Sequence, residues 1–151
     1  MSSCRPIISL LVLTSGFVSG CGGAPPVPQG IIVTGRIVKN GQPLKVERPE
    51  VGLGMVQITM IPVDSDGIGG EGAQADKEGC FEIRGPGKGI PPKKYKLAVR
   101  QWKSGVGTKD ELEGRFTPEN TPIIVEVPAD AVDSKHDLGG VELMDYMEKR
   151  S

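Results

Sequence analysis

The chain has 151 residues and a net charge of −1, with 37% hydrophobic side chains. That is enough for one modest core, and there is no basic excess to attract nucleic acid or an anionic membrane face. Aromatics are only 4%, whereas glycine (22) and proline (13) are abundant, which favours a turn-rich, all-β module over a helical bundle.

The N-terminus reads as a targeting segment. Arg5 supplies a small positive region and residues 7–13 an apolar run that weakens towards Val18. The run is shorter than the roughly 20 residues that cross a bilayer, and it ends in small residues, as a cleavage site does. Val18-Ser19-Gly20-Cys21 resembles the lipobox of bacterial lipoproteins. The resemblance implies cleavage between Gly20 and Cys21, diacylglyceryl modification of the Cys21 thiol and acylation of the new amine. Several acyl chains anchor a protein stably where one binds only marginally. The partner implied is a membrane, held through the lipid on Cys21, and the location an exported, lipid-anchored site in a bacterial cell envelope.

Three cysteines are present, Cys4, Cys21 and Cys80. With the first two assigned to processing and lipidation, Cys80 has no partner within the chain, so no disulfide framework is expected.

Residues 1–20 are thus expected to be a signal peptide, 21–30 a tether, 31–144 a folded domain and 145–151 a tail. Gly22-Gly23-Ala24-Pro25-Pro26-Val27-Pro28-Gln29-Gly30 mixes flexible glycines with prolines that favour extended backbone. Fully stretched, the segment from Cys21 to Ile31 reaches about 30 Å.

Within the domain, residues 31–38 are β-branched, with Val33 and Ile37 on one face, and Asn40-Gly41 marks a tight turn. Residues 45–54, broken by Pro49, Gly52 and Gly54, read as a loop. Alternation predicts a strand over 55–62 with Val56, Ile58 and Met60 inward, and a short one over 73–76. Gly79 turns the chain into a strand over 80–84 with Phe81 and Ile83 inward. Residues 94–100 place Tyr95, Leu97 and Val99 inward. Residues 103–121 form an aperiodic excursion with a helical turn at 109–113, and strands follow at 122–127 and 140–143. Seven short strands without a long amphipathic helix predict a single seven-stranded antiparallel β-sandwich.

Asp76-Lys77-Glu78-Gly79-Cys80-Phe81 resembles the D-x-x-G-x-F turn of carboxypeptidase regulatory-like domains, which have a transthyretin-like sandwich. Val33-Thr34-Gly35-Arg36-Ile37 with Asn40-Gly41-Gln42-Pro43-Leu44 resembles their opening V-x-G-x-V…x-G-x-P-L. Pro91-Pro92-Lys93-Lys94-Tyr95-Lys96-Leu97-Ala98-Val99 resembles P-x-G-x-Y-x-L-x-V, with Lys93 and Lys94 where a glycine is usual. Arg115-Phe116 with Thr121-Pro122-Ile123 resembles the lead-in to the closing strand. The resemblance implies a non-catalytic accessory role.

No catalytic set is expected, and no cofactor. His136, the only histidine, follows Ser134 and precedes Asp137, but a Ser-His-Asp triad is assembled in space around an oriented imidazole. A polar loop between strands is the expected place for it. One histidine and one unlipidated cysteine do not make a zinc site. Asp64, Asp66 and Asp76 are the candidates for calcium, yet Asp64-Ser65-Asp66-Gly67 lacks the rest of the twelve-residue loop pattern and reads as a solvated acidic turn. Cys80 alternates with Phe81 and is expected to point outward, without activation. Trp102 has the outward parity of Ala98 and Arg100: it either contacts a ligand by stacking on a sugar or covers the sandwich edge. The partner expected from these features is an envelope protein or polysaccharide. A hydrolase resembling transthyretin-like purine-pathway enzymes is disfavoured, because those need several histidines.

Overall fold

In a computed structural model, the described residues are 30–48, 51, 53–65, 69–86, 89–104, 106–131 and 135–147. The expected signal peptide with Gly20, the expected lipidation site Cys21, most of the expected tether, Asp66 and Ser134 lie outside them. The fold is an all-β sandwich of two four-stranded sheets.

The first sheet is built on β1 (Ile32–Lys39). Asn40 and Gly41, at φ 55° and 69°, turn β1 into β2 (Gln42–Pro43), with Lys39 opposite Gln42. Positive φ at both central residues is the geometry that matches the twist of a two-residue hairpin. β5 (Cys80–Ile83) lies antiparallel along the same edge of β1. Ile37 marks the change of neighbour, donating its N–H to Gly79 and accepting from the N–H of Leu44.

The other edge of β1 is taken by β8 (Lys135–Glu142), and here the pairing is parallel. The register passes from Thr34 opposite Asp137 to Arg36 opposite Gly140, a bulge that Gly139 accommodates at φ 67°. The second sheet runs β4 (Glu71–Gln74), β3 (Val56–Pro62), β6 (Lys94–Gln101), β7 (Ile124–Glu126), all antiparallel.

The core lies between the sheets. Val33, Ile37, Phe81 and Ile83 meet Val56, Ile58, Met60, Tyr95, Leu97 and Val99, all buried. Period-2 alternation places each of them inward as expected. Tyr95 keeps its hydroxyl satisfied by donating to the Pro91 carbonyl at 2.7 Å. Burial raises its pKa, and Asp64 and Glu71 add to the rise.

Five features differ from the sequence reading. Among the described residues there are eight strands, and one pair, β1 with β8, is parallel. β8 begins at Lys135, not at 140, so His136 sits in a strand opposite Val33 and not in a loop. The short strand expected at 73–76 is β4 at 71–74. The excursion after β6 is packed: Phe116 is 1% exposed and Leu112 is buried, both within the core. It runs beside β6 as an irregular strand, with Val99 donating to the Phe116 carbonyl and Glu111 to that of Gln101. Asp110 fixes it, accepting from the N–H groups of Gln101 and Leu112 on Oδ1 and of Gly114 on Oδ2. A short helix, α1 (Met144–Met147), crosses the expected 144/145 boundary and packs Tyr146 and Met147 against the core.

Both ends of the first sheet are pinned. Ile31 exchanges backbone hydrogen bonds with Ile90, and a side chain at Gly30 would lie 2.3 Å from the Gly89 carbonyl carbon, so the two chains touch through glycine. At the far end, Glu142 on β8 holds the hairpin turn, its carboxylate accepting from the N–H groups of Asn40 (3.0 Å) and Gly41 (2.7 Å) and of its neighbour Met144 (3.0 Å).

Candidate functional site

β4 and β5 are joined by the turn at 75–79 and then diverge into different sheets. Asp76 builds that turn: Oδ1 accepts from the N–H of Glu78 (2.9 Å) and of Cys80 (2.8 Å), and its own N–H donates to the Cys80 carbonyl. Gly79, at φ 74°, packs its backbone against the carbonyls of Ile37 and Leu44, which leaves no room for a side chain.

Where the strands part, a cleft of about 1000 Å³ opens. One wall is β4. The rest is the outward face of the first sheet: Thr34 and Arg36 on β1, Cys80 and Glu82 on β5, Asp137 and Gly140 on β8. Glycines 72, 139 and 140 keep side chains out of it.

Within the cleft the Arg36 Nε–H donates to Cys80 Sγ at 3.2 Å, across the β1–β5 pair. That hydrogen bond and the attraction between the two groups hold the guanidinium further toward its charged form, with smaller help from Asp76 and Glu78. Arg84, the residue after β5, pairs with Glu82 on that strand. Carboxylates from Glu71, Asp76, Glu82 and Asp137 therefore face two guanidinium groups, Arg36 and Arg84. The arrangement is suited to holding a ligand by polar contacts.

Cys80 does point to the outward face, half-buried, and its thiol is free. His136 lies on the opposite edge of the sheet, paired with inward-facing Val33, while Cys80 pairs with outward-facing Arg36. The two side chains thus sit on different strands with β1 between them and on opposite faces, which does not make a thiol–imidazole pair.

Trp102 is only 9% exposed. Its indole N–H donates to Gln57 Oε1 at 3.4 Å, Arg100 lies 5.7 Å from the ring centroid, and its backbone bridges to Asp110. The ring covers the sheet's outer face, so outward parity does not become an exposed stacking surface. Asp64 is exposed, with Lys93 Nζ 3.5 Å away, and Asp76 is committed to its turn. Asp66 is outside the described residues, and among those described no three His, Cys, Asp or Glu side chains are grouped to hold a metal.

The cleft was not legible in the sequence. Its only local signal was the alternation of outward polar residues, Thr34 and Arg36 on one strand and Glu82 and Arg84 on the next.

No family model and no curated protein matches the sequence. Among solved structures, the chain is similar to a 9R-lipoxygenase from Cyanothece PCC8801, at 17% identity and a TM-score of 0.34. The match covers 80% of this chain and 18% of that one, so the chain spans under a fifth of the lipoxygenase's length. At that TM-score the likeness carries no argument about activity. Among the described residues, no helix is long and apolar enough to cross a membrane.

Proposed function

We propose that this is a non-enzymatic, lipid-anchored protein of a bacterial cell envelope, whose sandwich binds or supports a partner at the membrane surface. The observation that carries the proposal is Val18-Ser19-Gly20-Cys21 at the end of the apolar run, followed by a glycine- and proline-rich stretch leading into β1. Cleavage before Cys21 and acylation of that residue would leave the tether between the lipid and Ile31. The hairpin turn at Asn40-Gly41 and Trp102 would then lie at the end of the sandwich remote from the anchor.

The resemblance to carboxypeptidase regulatory-like domains is part of this proposal. It is supported by the tasks its motif residues perform: Asp76 caps the turn, Gly79 adopts positive φ and Phe81 fills the core. The polysaccharide-binding alternative loses its stacking residue, because Trp102 is covered. Metabolic labelling with an alkyne fatty acid tests the anchor: label on the wild type and none on Cys21→Ala is expected, and equally little label on both would overturn it.

A further inference from the structure

We propose that the cleft between β4 and β5 takes an extended peptide segment bearing basic side chains, added as a further strand to the free edge of β4. The proposal deepens the binding role above by naming its partner's chemistry, and it does not require the lipid.

The backbone register identifies the free groups. Ala75 donates to the Val56 carbonyl at 2.9 Å, and Gln74 lies opposite Gln57 with Ala73 opposite Ile58. Antiparallel pairs exchange hydrogen bonds at alternate residues, so Ala73 and Glu71 bond to β3 while Gly72 and Gln74 turn their N–H and C=O groups away from it. β5 behaves likewise. Ile37 donates to Gly79, which directs Phe81 and Ile83 at β1 and Cys80 and Glu82 away. Cys80 is satisfied by Asp76, leaving the backbone of Glu82 open.

Among the described residues, two sheet edges therefore present unpaired backbone to one cleft. An open edge is a template for another strand, and proteins that do not use such an edge usually cover or charge it. Here Gly72 leaves the edge bare, with its position exposed to solvent. Main-chain pairing supplies affinity for any extended segment, and alternate side chains supply selectivity. Glu82 and Arg84 pair with each other, so the segment's side chains facing the sheet would meet Glu71 and Asp137, with the turn-bound Asp76 beside them, against the single guanidinium of Arg36, itself bonded to Cys80. The excess of carboxylates selects basic side chains.

The test uses the full-length chain in detergent and an acetylated, amidated lysine–valine–lysine–valine–lysine peptide. Two controls are its glutamate counterpart and a version N-methylated at alternate residues, which lacks the strand-pairing N–H groups. The expected result is slowed hydrogen exchange at the Gly72 and Gln74 amides with the lysine peptide, and binding weaker by about tenfold or more for each control. No binding at millimolar peptide, protection elsewhere on the protein, or equal binding of either control would overturn the proposal. A Cys21→Ala chain that binds the peptide normally would separate this outcome from the fate of the anchor.

Discussion

Glu142 joins three parts of the chain that are far apart in sequence or lie at an element's end. One carboxylate accepts from two amides of the β1–β2 turn and from Met144, at the start of α1. A shielded hydrogen bond to a charged group contributes about 1.5–3 kcal/mol, whereas an exposed ionic contact contributes about 0.2–1 kcal/mol. The turn bonds are solvent-accessible, so about 0.5–1 kcal/mol each is the appropriate scale, or about 1.5–3 kcal/mol for all three lost in Glu142→Ala. Glu142→Gln keeps one acceptor and loses the charge, and is expected to cost about 1 kcal/mol at neutral pH.

The pH dependence gives the sharper test. The amides of Met144 and Gly41, and to a lesser extent Asn40, stabilise the carboxylate and lower its pKa from the ordinary 4.5. Stability from a depressed carboxylate is present above the unfolded pKa and is lost as pH falls through the folded one. Urea unfolding of wild type and Glu142→Gln at pH 7 and at pH 3 should therefore show a gap that narrows at the acidic end. Equal stability at pH 7, or a gap unchanged at pH 3, would refute the clamp.

Other expectations are simpler. Phe116→Ala should cost about 3–5 kcal/mol in urea unfolding, because its ring is buried in the core, and a cost below about 1 kcal/mol would mean that the excursion does not pack. Thr121 is buried, donating to the Leu97 carbonyl at 2.7 Å and accepting from the Ile123 N–H at 3.3 Å. Thr121→Val conserves shape but orphans both groups, and should cost about 1–3 kcal/mol by the same measurement. Trp102→Ala should lower stability by about 2–4 kcal/mol through lost packing, an effect that a side chain exposed for ligand stacking would not show.

Where period-2 alternation and turn chemistry act locally, the fold was legible. Val33 and Ile37, then Tyr95, Leu97 and Val99, announced their inward faces. Asn40-Gly41 announced a hairpin, and Asp76 with Gly79 a turn into Phe81. Where pairing is decided by distant partners, it was not. Lys135-His136-Asp137-Leu138-Gly139-Gly140 has no alternation of its own and becomes a strand only because β1 offers it an edge. Leu112 and Phe116 lack periodicity because Asp110 and the backbone of β6, not a ladder of strand pairs, hold that segment. Trp102 had the parity of an outward residue, yet Gln57, Arg100 and the following loop close over it. The cleft arises from the divergence of two sheet edges after one turn, a property of their relative placement that neither strand carries alone.

Attachment through Cys21 is measured most directly by mass spectrometry of the processed N-terminus from isolated membranes. The expected result is a mature chain that begins at Cys21, carries a diacylglyceryl group on sulfur and moves to the soluble fraction on Cys21→Ala. A membrane-associated wild-type chain with an unmodified Cys21 thiol, or a Cys21→Ala chain that stays equally membrane-bound, would contradict it.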